Sequence, residues 1–226
     1  GIRATALGDI GTTAAATALS LIGTTWHLAI SDTAANVQSD LASGGASTLL
    51  ARATVLSGVA LTSGTTITLT EAQATRAGVA SVLAATTGLS SFVVTGATIA
   101  QVATVLALGV ANTTMTVTDT AANLQADLNL ASGSVLLTNV AQVTNIALSD
   151  GGTPTLSLNV AGLTSASPVL TVLTSSYNLA LSDTAANVQA DLAAGNGSEI
   201  LNRIGSLASI TLSSGNTITL TESQAV

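Results

Sequence analysis

Cysteine and lysine are both missing from this 226-residue chain, proline occurs twice, and tryptophan, tyrosine, phenylalanine, methionine and histidine occur once each. Without cysteine no disulfide can form, and one histidine cannot build a cysteine–histidine zinc site. The basic residues are Arg3, Arg52, Arg76 and Arg203, set against eleven carboxylates for a net charge of −7. That balance offers no basic footprint for a phosphate backbone and argues against nucleic-acid binding. With so few bulky side chains, the core has to be thin and built from Ala, Val, Leu and Ile.

What is present is apolar and uncharged: 47% of the residues are hydrophobic and 7% charged. Low hydrophobicity and high charge mark disordered chains, and this one has neither. The uncharged run from Ala77 to Thr118 is broken by Gly88, Gly96 and Gly109. Its longest helix-like block, Ile99 to Val110, falls short of the roughly 20 residues a bilayer span needs, so a buried helix is expected there and no transmembrane segment. The chain opens at Gly1 without a visible signal peptide. It closes on Glu222-Ser223-Gln224-Ala225-Val226, which reads as the start of a helix, so it is expected to be a piece of a longer protein.

The chief feature is a repeat. Asp-Thr-Ala-Ala-Asn begins at Asp32, Asp119 and Asp183, and each copy continues as (Val/Leu)-Gln-(Ser/Ala)-Asp-Leu. Laying Trp26–Thr75 over Tyr177–Val226 needs no gap and gives 29 identities in 50. Before each motif stands an alternating, strand-like stretch: Leu28–Ile30, Met115–Thr118 and Leu179–Leu181. From the motif onward the period is helical, with Ala34, Val37 and Leu41 on one stripe, and likewise Ala121, Leu124 and Leu128, then Ala185, Val188 and Leu192. Two further strands divided by a turn follow each helix: Val59–Leu61 and Thr66–Thr70, Ile146–Ser149 and Thr155–Leu158, Ile210–Ser213 and Thr217–Thr221. Phe92–Val110 reads as an additional βα unit.

The expected fold class is therefore α/β, a repeat solenoid of β-α-β-turn-β-α units with extra βα insertions. The organisation expected is one solenoid segment over 1–226, with an N-terminal helical unit at 1–25. Repeats then run over 26–112, 113–176 and, in part, 177–226. Open solenoid edges call for partners, which would be copies of the chain or further repeats of it.

Candidate chemistry is sparse. Asp32, Asp119 and Asp183 suit helix caps, where a carboxylate meets unpaired N–H groups and the positive end of the helix dipole. Calcium held between successive turns by these carboxylates and backbone carbonyls is the alternative use; no other metal or cofactor is expected. Asp40, Asp127 and Asp191, eight residues further on, lie about 12 Å along the helix axis, too far for an acid–base pair, and read as solvated helix residues. Asn36, Asn123 and Asn187 read as solvent-facing or loop-bracing. His27 matches Asn178 in the other copy and reads as a surface residue. Nucleophile elbow, dinucleotide fingerprint and phosphate loop are all missing, so no enzymatic activity is expected. Thr66, Thr68, Thr70, Thr114, Thr116, Thr118, Thr217, Thr219 and Thr221 would form rows on an outer strand face, like the ice-binding faces of some antifreeze solenoids, although Thr is favoured on strands in any case.

The Ser-Asp-Thr-Ala-Ala-Asn-Val-Gln-Ala-Asp-Leu segment, followed by Ile-Thr-Leu-Ser and Thr-Ile-Thr-Leu-Thr-Glu, resembles the repeats of very large Ala/Thr-rich bacterial surface and secreted proteins, S-layer-like or type I-secreted. The resemblance implies an extracellular, non-enzymatic structural module building a surface layer, sheath, filament or stalk. An adhesin or ice-binding module using the threonine rows is the alternative. The glycine-rich calcium nonapeptide of β-rolls does not occur in the chain.

Overall fold

The computed structural model describes residues 2–11, 15, 17, 18 and 26–221. Eleven strands are defined among them: β1 (Ile2–Ala4), β2 (Leu28–Asp32), β3 (Leu56–Leu61), β4 (Thr66–Thr70), β5 (Thr86–Thr87), β6 (Ser91–Ala97), β7 (Thr113–Asp119), β8 (Val143–Leu148), β9 (Thr155–Leu158), β10 (Asn178–Thr184) and β11 (Leu207–Ser214). The paired strands are ordered β1-β2-β3-β5 and β4-β6 before β7, and β9-β10-β11 after it, with short helices between strands. The class is α/β and the ladders are parallel. Parallel neighbours need a crossover rather than a hairpin, and the helices supply it. By density of contacts the chain divides inside β7 into Gly1–Thr116 and Val117–Val226.

In the first unit, β2 leads through helix Ala34–Ala42 to β3, its neighbour in the sheet, with Ile30 facing Val59. A turn at Gly64 then carries the chain to β4 in the second sheet. Helices Glu71–Ala74 and Val79–Ala84 return it to β5 beside β3, after which β6 pairs with β4, setting Ile67 against Phe92 and Leu69 against Val94. Alternation explains the burial. On β4, Ile67 and Leu69 are buried while Thr66 and Thr70 are exposed, and the helix stripe Ala34, Val37 and Leu41 is buried in turn. Phe92 fills the core as its largest side chain.

The block expected as one helix over Ile99 to Val110 is shorter in fact. A 3-10 turn at Ile99–Gln101 runs into helix Val102–Leu106, and Gly109 stands at φ +68° just beyond. Left-handed glycine is a common helix terminator, and it ends this one early.

In the second unit, helices Ala121–Leu128 and Val135–Asn139 join β7 to β8, and helix Val160–Thr171 follows β9. Helix Ala185–Ala193 and the short Glu199–Asn202 join β10 to β11. β10 lies between the other two strands of its sheet, with Leu181 beside Leu158 on one flank and Ile210 on the other.

The three copies of the motif adopt one local conformation. The residue before each helix, Thr33, Thr120 or Thr184, has φ between −79° and −70° and ψ between 152° and 154°. A 3-10 turn follows each helix at Gly44–Ala46, Ala131–Gly133 and Gly195–Gly197.

One expected strand is not formed: Thr217–Thr221 carries no ladder. The identical pentapeptide at Thr66–Thr70 becomes β4 because β6, 25 residues later in register, pairs with it. The matching partner of Thr217 would fall beyond Val226. Most of the N-terminal helical unit expected at 1–25 lies outside the described residues, apart from β1, helix Leu7–Ile10 and a few helical positions. The helix start expected at Glu222–Val226 lies outside them entirely.

Candidate stacking site

Each polar residue of the repeated motif has a defined partner; most partners lie within the same segment, and two side chains, the first aspartate and the glutamine, reach a neighbouring one. The first aspartate stands at the C-terminal end of its strand and is buried in all three copies. Asp32 Oδ1 accepts from the Thr33 N–H at 2.7 Å and the Asn36 amide at 2.7 Å, while Oδ2 accepts from the Leu7 N–H at 2.7 Å. Asp183 repeats the pattern with Thr184 at 2.7 Å, Asn187 at 2.7 Å and Val160 at 2.9 Å. Asp119 accepts from Thr120 at 2.8 Å and Asn123 at 2.6 Å. Leu7 and Val160 are the first residues of the helices that precede these strands in the chain.

Asp32, Asp119 and Asp183 are therefore not the N-caps of their own helices, as the sequence led one to expect. The caps are Thr33, Thr120 and Thr184, whose side chains accept from the N–H groups of Asn36, Asn123 and Asn187, each at 3.2 Å. The reason is positional: Thr is the last extended residue before the helix, whereas the aspartate one step earlier is still in the strand, its side chain turned back into the sheet. At Asp32 and Asp183 the carboxylate meets the positive end of the previous helix instead. Asn36, Asn123 and Asn187 brace that carboxylate through their side-chain amides.

These contacts set the ionisation. Burial by itself pushes the Asp32 carboxyl up, but the Leu7 N–H, the Asn36 amide and the Thr33 N–H outweigh it and hold the group below the ordinary aspartate value. The Asn187 amide, with the Val160 and Thr184 N–H groups, holds Asp183 low in the same way, against a smaller burial effect.

The second aspartate also departs from expectation. Asp40, Asp127 and Asp191 are not solvated helix residues; each holds the start of the next helical turn. Asp40 accepts from Ser47 Oγ at 2.5 Å and from the N–H groups of Thr48 and Leu49 at 2.9 and 3.0 Å. Asp127 accepts from Ser134 Oγ at 2.5 Å, Val135 N–H at 2.9 Å and Leu136 N–H at 3.3 Å. Asp191 accepts from Ser198 Oγ and from the Glu199 and Ile200 N–H groups, both at 3.2 Å. The three serines in turn accept from the N–H of Leu50, Leu137 and Leu201. The helix turns this aspartate inward, where unpaired helix-start donors await an anion.

The motif glutamine, which composition gave no reason to single out, reaches the stretch beyond the turn. Gln38 Oε1 accepts from the Thr68 N–H at 2.7 Å, Gln125 Oε1 from Ser157 at 2.5 Å and Gln189 Oε1 from Thr219 at 2.8 Å. At Thr68 and Ser157 it occupies a donor of an edge strand, β4 or β9, whereas Thr219 lies in a stretch without a strand. The first motif alanine matters for its small size, since a Cβ at Gly64 or Gly215 would come within 3.1 or 2.9 Å of the Ala34 or Ala185 methyl. The turn glycine and the small helix residue thus permit each other's approach. The signal that could have revealed both the glutamine and the second aspartate was in the sequence: Gln six places and Ser fifteen places after the first Asp, in all three copies.

For calcium, the geometry at Asp32 and Asp183 runs the other way. Each carboxylate faces three N–H donors, an arrangement built for an anion, and a cation would have to displace them. Among the described residues no group of three or more His, Asp or Glu is gathered closely enough to hold a metal ion.

The threonines divide. Thr66, Thr68 and Thr70 point outward from β4 and lie beside Ser91, Val93 and Thr95 of β6, so a valine interrupts the row. On β7, Thr114 and Thr116 are half-buried and Thr118 is exposed, while Thr217, Thr219 and Thr221 lie in the stretch without a strand. His27 is exposed just before β2. Two open grooves, about 370 and 500 Å³, run over Ala29, Ser31, Gly58 and Ala60 in the first unit and over Ser157, Gly162, Ser165 and Ser182 in the second; Arg3 is the one ionisable group lining either. Among the described residues no helix is long and apolar enough to cross a membrane. No protein-family model, curated protein or solved structure matches the chain.

Proposed function

We propose that this chain is a non-enzymatic structural repeat module of an extracellular bacterial protein, an α/β solenoid that builds a surface layer, sheath, filament or stalk by stacking and lateral packing. One observation carries the reading: two side chains of the repeated motif, the first aspartate and the glutamine, hydrogen-bond to neighbouring βα segments, while the others brace the segment itself. At Asp32 and Asp183 the first aspartate reaches back to the start of an earlier helix, the glutamine reaches forward to the stretch beyond the turn, and the second aspartate holds the following helical turn of its own segment. A motif used in this way specifies stacking, in which each segment is stabilised by the next. The lack of cysteine and the scarcity of charge suit close packing in an exposed material, and the acidic excess keeps it soluble.

Electron microscopy of the native material tests this. An ordered sheet or fibre is expected; a dispersed monomer with no higher-order assembly would overturn the scaffold reading. The second reading, an adhesin or ice-binding face, has in its favour the outward Thr66, Thr68 and Thr70 of β4. Thermal hysteresis from the purified chain would favour it.

A further inference from the structure

The two copies related by 29 identities in 50 bury the same residues to very different degrees. Val59 is 1% exposed, but its counterpart Ile210 is 37% exposed. Leu41, Ile67 and Leu69 are fully buried, whereas Leu192, Ile218 and Leu220 are only half-buried. Leu50 and Ala53 are half-covered, whereas their counterparts Leu201 and Ile204 are exposed. The residues concerned lie on helix Ala185–Ala193, on Leu201 and Ile204 before β11, on β11 itself and on the stretch from Thr217, and together they make up the surface considered next.

The first copy identifies what covers this surface. Helix Val79–Ala84 packs on β3, and helix Glu71–Ala74 packs on β4 and β6. Val79, Val82 and Leu83 are the buried stripe. β5 then pairs with β3 through Val59 and Ala60, and β6 with β4. Gly78 sits against Leu50 and Ala53, where a Cβ would be 3.4 and 3.7 Å from their side chains. A polar anchor accompanies the apolar one. Arg76 Nη1 donates to the Ala42 carbonyl at 3.1 Å and the Leu41 carbonyl at 3.4 Å, at the negative end of helix Ala34–Ala42. Its seat exists because residue 44 is glycine: a Cβ there would come within 2.6 Å of the guanidinium nitrogen. The matching Gly195, at φ +55°, has no described atom within 4 Å of its Cβ position. Gln189 already holds the Thr219 N–H as Gln38 holds that of Thr68.

We propose that this surface docks one further βα segment of the chain's own repeat type, with the chemistry of Arg76–Ala97. Such a segment carries a short helix with a Val/Val/Leu stripe for Ile210, Leu212 and Ile218, an arginine for the seat beside Gly195, and two strands to pair with β11 and Thr217–Thr221. The inference rests on the stacking reading above and names the partner that the stack selects.

The test extends the full chain after Val226 with a copy of Arg76–Ala97 and follows backbone amide exchange. Docking slows exchange across Leu207–Thr221 by about tenfold or more relative to the parent chain, as expected when an exposed edge becomes covered. Unchanged exchange across Leu207–Thr221, with the added residues exchanging as an unfolded tail, would overturn the proposal. Changing the copies of Val79, Val82 and Leu83 to serine should abolish the protection, and retained protection would refute the apolar anchor. Changing the copy of Arg76 to serine should reduce it, and undiminished protection would refute the arginine seat. A chain that docks the segment yet forms no sheet or fibre under the microscope keeps this inference and removes the scaffold reading.

Discussion

Replacing Asp127 with alanine should cost far more than its place on a polar helix suggests. Asp127 is 5% exposed and accepts from three donors, and one of them, the Ser134 hydroxyl, is itself completely buried. Hydrogen bonds to a charged acceptor contribute about 1.5–3 kcal/mol each, and losing a helix cap costs about 1 kcal/mol. Removing a buried charge returns part of its own desolvation cost, so the three bonds do not sum. A net loss of about 3 kcal/mol is the expectation. Asp127→Asn keeps the shape and one good acceptor and should lose about half of that. Ser134→Ala should cost roughly 1.5 kcal/mol, and the double variant should fall short of the sum by about 1 kcal/mol, because both residues hold the same helix start. Urea unfolding followed by far-ultraviolet circular dichroism, with the four variants compared with the parent chain at their midpoints, measures this. A solvated residue would change stability by no more than about 0.5 kcal/mol. If Asp127→Ala stays within that range, or the two substitutions add, the carboxylate does not clamp the helix start.

Ala131 stands at φ +48° where the other copies have Gly44 and Gly195. The left-handed conformation costs an alanine about 1–2 kcal/mol, partly offset by the entropy of a freer glycine, so Ala131→Gly should raise stability by about 0.5 kcal/mol in thermal unfolding. Gly44→Ala should do the reverse, and by more, since its methyl meets Arg76. Gln38→Ala should leave the strand paired to β6 but speed amide exchange at Thr68 selectively; unchanged protection there would show that the glutamine bond is idle. Because the folded values of Asp32 and Asp183 lie below those of the unfolded chain, their stabilisation is complete above about pH 4 and is lost as pH falls through the lowered values. The unfolding midpoint should therefore be flat from neutral pH down to that point and drop below it. Asp183→Asn should shallow the drop, and an unaltered acid limb would refute the assignment.

Periodicity and repetition make much of the architecture legible in the sequence alone. Strand Thr66–Thr70 and helix Ala34–Ala42 follow from their apolar spacing, because a period of two or of 3.6 describes the side of an element that must leave water. That the copies at Asp32, Asp119 and Asp183 would share a backbone shape follows from their sequence identity, since the same local preferences act in each. Asp and Thr both suit an N-cap on local chemistry alone, and only the actual exit of the strand puts the cap one residue later, on Thr.

Partnership over distance was decided elsewhere. Nothing local tells Asp40 from a solvated carboxylate; the helix has to turn it toward Ser47 before three donors converge on it. Asp32 finds Leu7, and Gln38 finds Thr68, 25 and 30 residues away, because parallel pairing brings those segments side by side. The identical pentapeptides Thr66–Thr70 and Thr217–Thr221 make the division plain. Both alternate, but only the first forms a strand, since a ladder needs a second chain segment to supply its hydrogen bonds. Composition and period thus determined which faces are apolar and where elements could begin, and the tertiary structure alone determined which edges are paired, which carboxylates are buried and which surface remains open.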